Sequence, residues 1–99
     1  MTAAPWFVYL IECTNGSVYC GIAPDVEKRY ALHVAGKGAR YTRSWRPVRL
    51  LMSVRCAGHA EAARAEARLK RLRAAQKREL AALPKTRIRR RVAALLADR

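Results

Sequence analysis

The stretch YLIECTNGSVYCG, residues 9–21, sets two tyrosines on either side of a Thr14-Asn15-Gly16 turn. Its surroundings are rich in Val, Ile, Tyr and Phe, so residues 6–22 read as the two strands of a hairpin. The turn can close in two ways. A two-residue Asn15-Gly16 loop pairs Thr14 with Ser17 and sends Tyr9 and Tyr19 to opposite faces. A three-residue Thr14-Asn15-Gly16 loop, with Gly16 in the left-handed region, pairs Cys13 with Ser17. Tyr19 then faces Ile11, Gly21 faces Tyr9, and both phenols share a face as diagonal neighbours. This second register also gathers Val8, Leu10, Val18, Cys20 and Ile22 on the other face, broken by Glu12. We expect it, with one face feeding the core and the tyrosines projecting from the other.

Downstream, PDVEKRYALHVAG (24–36) reads as a helix. Pro24 suits a first turn, Asp25 and Glu27 suit the positive end of the dipole, and Gly36 stops it. Val26, Tyr30 and His33 recur at i, i+4, i+7 on its inner face, with Arg29 at the margin. GKGARYTRSWRP is expected to be a loop, and VRLLMSVRC (48–56) a third strand. From Gly58 the chain becomes rich in Ala and Arg, with helices expected at about 59–73, 75–83 and 85–97. Pro84 separates the last two, and Ile88, Val92, Leu95 and Leu96 stripe the final one.

With 99 residues the chain suits one domain, 1–99, with a core over about 6–83 and a basic amphipathic helix over about 85–97. No internal repeat, linker or second domain is evident. The balance of 21 Lys+Arg against 7 Asp+Glu gives +14, which must repel itself unless a polyanion is near. Nucleic acid is the first partner this implies, and a membrane surface the second. No apolar run approaches the roughly 18–20 residues that span a bilayer. MTAAPWFVYLIEC lacks a positive flank before its apolar part, which argues against a signal peptide. Cys13, Cys20 and Cys56 are an odd number without a C-x-x-C pair, so neither a disulfide framework nor a zinc ribbon is indicated. The expectation is a reduced, cytoplasmic protein with no disulfide partner.

The ordered set Phe7-Val8-Tyr9, Tyr19-Cys20-Gly21, DVEKRYALH with Arg29 and His33, and EAARAEARLK with Glu66 resembles the GIY-YIG nuclease superfamily. The resemblance runs from residue 6 to about residue 78. GKGARYTR followed by RPVRLL makes the chain similar to the small standalone bacterial proteins of that superfamily. It implies an α+β fold, a small antiparallel three-stranded sheet in β-β-α-β-α-α order flanked by helices. Tyr9, Tyr19, Arg29, His33 and Glu66 would be the catalytic residues, and Glu66 would bind one divalent metal, magnesium or manganese. Phe7 stands where many members have glycine, and Cys20 where the middle residue is usually apolar. Larger members carry an asparagine after the metal glutamate. Gln76 and Lys77 occupy that region here, which argues against duplex-directed cleavage.

Phosphodiester hydrolysis needs an activated water, neutralised phosphoryl oxygens and help for the leaving oxygen. A phenol with pKa about 10 is a poor base unaided. We expect Tyr9 to be the base or to position the water, with Arg29 or the metal lowering its pKa. Tyr19 would hydrogen-bond the phosphate or a metal-bound water, Arg29 would clamp phosphoryl oxygens, and the Glu66 metal would stabilise the leaving oxygen. One carboxylate suffices for a cation that keeps its waters and borrows phosphate ligands. Plainer roles exist for each residue. Strand tyrosines are common, Arg29 can pair with Asp25, His33 can be a satisfied core histidine, and Glu66 can pair with Lys70 at i+4.

Lys37, Arg40, Tyr41, Arg43 and Arg46, with Lys70 and Lys77, are the expected nucleic-acid contacts, cations tracking phosphates while a ring stacks on a base. Trp45 is expected to pack onto the core. Arg87, Arg89, Arg90 and Arg91 read as non-specific phosphate contacts or a solvated face. The functional expectation is a metal-dependent DNA endonuclease of low sequence specificity that prefers single-stranded or branched DNA. The alternatives are a non-catalytic nucleic-acid-binding module on the same fold, and a basic assembly protein with an acidic partner.

Overall fold

The fold is described from a computed structural model over residues 4–97; the two ends of the expected 1–99 domain, 1–3 and 98–99, lie outside the described residues. The hairpin comprises β1 (Trp6–Cys13) and β2 (Val18–Ala23). Its register is the one with the three-residue loop: Tyr9 lies opposite Gly21 and Ile11 opposite Tyr19. Gly16 takes φ 82°, and the Cys13 amide donates to the Ser17 carbonyl at 3.0 Å. A left-handed backbone here is free for glycine and strained for most residues.

α1 (Val26–Val34) begins two residues later than the sequence suggests, because Asp25 is its N-cap and accepts from the Lys28 amide at 3.1 Å. Gly36, at φ 78°, follows its end. The expected loop contains a short helix, α2 (Arg40–Ser44), whose Thr42 is fully buried. Five residues are too few to display a helical period, so a buried polar anchor, and no apolar stripe, fixes this turn. β3 (Pro47–Cys56) then pairs antiparallel with β1 through two register shifts, giving the sheet order β2-β1-β3.

β1 is therefore central and covered on both faces. Val8 and Leu10 join Val18, Cys20, Met52 and Val54 under α3 (His59–Lys70), α4 (Ala74–Ala81) and α5 (Lys85–Ala97). Ala62, Ala65 and Leu69 of α3 and Ile88 and Val92 of α5 are buried in that layer, with Leu95 and Leu96 packed against it, so the expected stripe of the last helix is the one buried. On the opposite face Tyr9, Ile11, Cys13 and Ala23 pack with Tyr19, Val26 and Tyr30. The expectation that the tyrosines project freely fails for Tyr9, only 1% exposed, because α1 lies over that face. Glu12, the break in the apolar face, pairs with Arg49 at 3.2 Å and Arg78 at 3.4 Å. Arg78 also donates to the Gly16 carbonyl, tying α4 to the turn. The three cysteines are buried free thiols, and no helix among the described residues is long and apolar enough to cross a membrane.

Candidate functional site

The hairpin register decides what surrounds Tyr9. Its cross-strand partner is Gly21, and a Cβ built there would fall on the Tyr9 hydroxyl, 2.6 Å from its Cζ and 3.1 Å from Tyr19 Cε2. The absence of a side chain at 21 is what lets the phenol lie flat across β2. Tyr19 is its diagonal neighbour, ring centroids 6.4 Å apart. From α1, His33 reaches the same place and accepts or donates at Nε2, 2.8 Å from the Tyr9 hydroxyl, while its ring meets Tyr19 edge-on at 5.2 Å. His33 is 1% exposed, so its helix position alone could not separate a core residue from a working one. Its bond to the Tyr9 hydroxyl joins it to the tyrosine pair.

The charges around this trio come from two helices. Burial pushes the Tyr9 phenol well above its usual pKa, Tyr19 adds to the rise, and Arg29 opposes it. Tyr19 is raised too, first by burial and then by the Glu66 carboxylate, with Arg29 again opposing. His33 is lowered by burial and by Arg29, which keeps the imidazole neutral. The expectation that a neighbouring cation brings the Tyr9 phenol down is thus reversed: Arg29 acts in that direction, but desolvation outweighs it. Arg29 of α1 and Glu66 of α3 therefore act on both phenols. Glu66 also meets the expected helix partner, Lys70, at 3.6 Å, with their side chains 25% and 56% exposed. It is half-buried.

Among the described residues no group of three or more His, Cys, Asp or Glu side chains could hold a metal together. Glu66 nevertheless fits a hard divalent cation. Its carboxylate is accessible, and it is held by one solvent-exposed amine at the long end of ion-pair range. Such a pair is worth a few tenths of a kcal/mol, so a cation can displace it at little cost. The remaining ligands would be waters and substrate oxygens, as magnesium prefers.

The segment after α1 borders the site. Lys37, Arg40 and Arg43 are exposed, and Arg46 donates to the Val34 carbonyl at 3.0 Å. Tyr41, 39% exposed, is stacked on Tyr19 with centroids 6.1 Å apart and planes 22° apart. A ring of three hydrogen bonds holds its hydroxyl: Tyr41 to Ser17 Oγ at 2.5 Å, Ser17 to Asn15 Oδ1 at 2.6 Å, and Asn15 Nδ2 back to Tyr41 at 3.3 Å. One face of this ring is thus already occupied. Trp45, expected to pack inward, is instead 45% exposed, since the inward place in α2 belongs to Thr42. Lys77 donates to the Val18 carbonyl at 3.4 Å, and Gln76 Oε1 accepts from the Arg73 amide at 2.9 Å, capping α4. Two residues at the site went unread in the sequence. Thr42 lies 2.7 Å from His33 Nδ1, and Gly38 passes so close to the imidazole that a Cβ would strike it. The Gly-x-Gly of GKGAR was the available signal.

Residues 5–79 match the family described as the GIY-YIG catalytic domain. The chain is 50% identical to a UPF0213 protein of Cupriavidus necator, over 82% of this chain and 89% of that protein. It is 46% identical to one of Neisseria gonorrhoeae, over 81% and 88%. A solution NMR structure of a UPF0213 protein from Bacillus halodurans is 39% identical and covers 77% of this chain and 81% of that one, with a TM-score of 0.47. With the family match running through both tyrosines, Arg29, His33 and Glu66, the chain belongs to the GIY-YIG nuclease family.

Proposed function

We propose that the protein is a metal-dependent DNA endonuclease of low sequence specificity that acts on single-stranded or branched DNA. The observation that carries this reading is the Tyr9–His33 contact of 2.8 Å beside Tyr19, under the opposing charges of Arg29 and Glu66. A buried phenol is a poor base alone, and a neutral imidazole at hydrogen-bond distance removes that difficulty. As the Tyr9 oxygen accepts a proton from the attacking water, its own proton passes to His33 Nε2. The phenolate that burial disfavours need not accumulate. Tyr19, raised by burial and by Glu66, stays a phenol and donates a hydrogen bond to a phosphate oxygen or to the water. Arg29 binds the phosphoryl oxygens. A magnesium or manganese ion on Glu66 would supply neutralisation of the charge on the scissile phosphate.

The substrate preference rests on the surface around α2. Exposed Trp45, beside Lys37, Arg40 and Arg43, offers a ring for an unpaired base among phosphate-binding cations. Lys70 and Lys77 extend the cationic border on the Glu66 side. Gln76 is engaged as a helix cap, so the asparagine-like role in larger members has no free counterpart here.

A non-catalytic binding module is the second reading, favoured by the Glu66–Lys70 ion pair, in which the amine stands where a metal would sit. Cleavage of single-stranded, branched and duplex oligonucleotides with magnesium or manganese separates the two. The nuclease reading expects cutting that Tyr9→Phe and Glu66→Ala abolish while DNA affinity persists. Tight binding with no cutting by the wild-type protein in either metal would overturn it.

A further inference from the structure

We propose that Thr42 is a positioning residue: its hydroxyl fixes His33 in the Nδ1–H tautomer, leaving the Nε2 lone pair to take the Tyr9 proton. This rests on the nuclease reading for its purpose, but the tautomer itself follows from the hydrogen-bond geometry. Thr42 Oγ1 lies 3.0 Å from the Ala39 carbonyl, which can only accept, so the Thr42 proton is committed there. The same oxygen lies 2.7 Å from His33 Nδ1, so this second contact must have the imidazole as donor. With the ring proton on Nδ1, Nε2 is an acceptor, and the 2.8 Å contact there is donated by the Tyr9 hydroxyl. A single direction of donation then runs from Tyr9 through His33 and Thr42 to the Ala39 carbonyl.

The surroundings hold this arrangement. The Ala39 amide also points at Nδ1, but at 3.5 Å, the outer limit of a hydrogen bond, this contact is weaker than the 2.7 Å one to Thr42. Thr42 and His33 are 0% and 1% exposed, so no water substitutes for either partner. Gly38 leaves room for the ring, since a Cβ there would overlap Nδ1 and Cγ. The titratable groups facing the imidazole are Tyr9 from β1, Tyr19 from β2 and Arg29 from α1. Burial and Arg29 keep the ring neutral, which is the state in which a tautomer exists. Thr42 is sealed from solvent, and its hydroxyl meets the proposed site through His33 while its other bond anchors α2 at the Ala39 carbonyl.

The test is long-range proton–nitrogen NMR on uniformly 15N-labelled full-length protein at pH 7.5, with His59→Gln assigning the two imidazoles. The wild type and Thr42→Ser are expected to show Nδ1 protonated in His33. Thr42→Val, which removes the hydroxyl at similar volume, is expected to populate the Nε2–H form. Cleavage of single-stranded DNA should fall at least about tenfold in Thr42→Val, with KM little changed, and recover in Thr42→Ser. An Nε2–H tautomer in the wild type overturns the proposal, and so does a Thr42→Val protein with unaltered tautomer and cleavage. The spectrum needs no turnover. An Nδ1–H tautomer in a wild-type protein that never cuts DNA would sink the nuclease reading while leaving the Thr42 assignment standing.

Discussion

Replacing Gly21 with alanine tests the geometry of the site through stability as well as through chemistry. The new Cβ would lie 2.6 Å from Tyr9 Cζ, where carbon atoms at rest keep roughly 3.5–4.0 Å. The phenol must retreat by about 1 Å, yet Tyr9 is 1% exposed on the central strand and packed with Ile11, Tyr19, Val26 and Tyr30. Overpacking of this kind costs about 1–3 kcal/mol. Retreat also breaks the 2.8 Å bond to His33 and leaves a buried nitrogen without a partner, about 1–3 kcal/mol more. The sum, about 2–6 kcal/mol, corresponds to a fall in Tm of at least about 8 °C for a chain of this size. Gly58→Ala is the control. Nothing lies within 4 Å of a Cβ there, so its effect should stay within about 1 kcal/mol. Calorimetry or circular dichroism on both variants reads the difference, alongside cleavage rates. A Gly21→Ala protein that melts with the wild type and cuts as well would show that the phenol does not occupy the place opposite residue 21.

Four further outcomes are expected. His33 is held neutral with a lowered pKa, so it stabilises the fold fully above its unfolded value of about 6.5, and that contribution is lost as pH falls through the folded value; urea titrations from pH 7.5 to pH 5 should show the loss, and His33→Gln should flatten it. On the nuclease proposal the same imidazole should give cleavage an acid limb as pH falls through its lowered folded value, and a limb centred above the ordinary imidazole value of about 6.5 would refute its role as acceptor. Leu69→Ala, at a fully buried position beneath the sheet, should destabilise by about 2–5 kcal/mol in denaturant titration, against almost nothing for the exposed Arg64→Ala. DNA affinity should fall log-linearly with salt, and Lys37→Ala or Arg43→Ala should each lower the slope by about 1; a salt-independent affinity would point to a packed interface with a protein partner instead.

The hairpin was legible because two independent constraints agreed. Gly16 supplies the left-handed residue of a three-residue loop, and only that register sorts Val8, Leu10, Val18 and Cys20 from Tyr9 and Tyr19. The long helices were legible through their apolar period, as in Ala62, Ala65 and Leu69, and again in Ile88 and Val92. α2 was not, since what holds it is a threonine whose partners lie nine residues back and three residues back in the chain. Composition likewise ranks Trp45 above Thr42 as a core residue, and the histidine's need for a hydrogen bond inverts the order. At the site, the residue types of Tyr9, Tyr19, Arg29, His33 and Glu66 were readable from their order. The net rise of the Tyr9 pKa was not, because it depends on how completely α1 seals the phenol from water.

The back of the sheet carries a consequence for how the protein is made. Every residue proposed for the chemistry lies before the end of α3, yet the apolar underside formed by Val8, Leu10, Val18 and Cys20 shares its core with Leu80, Ile88 and Val92. A ribosome therefore releases the proposed catalytic residues well before the helices that complete their support. A nascent chain halted after α3 would hold all five catalytic candidates with an uncovered greasy surface beneath them. On the nuclease proposal, DNA cutting is expected to begin only once α5 has docked against that surface.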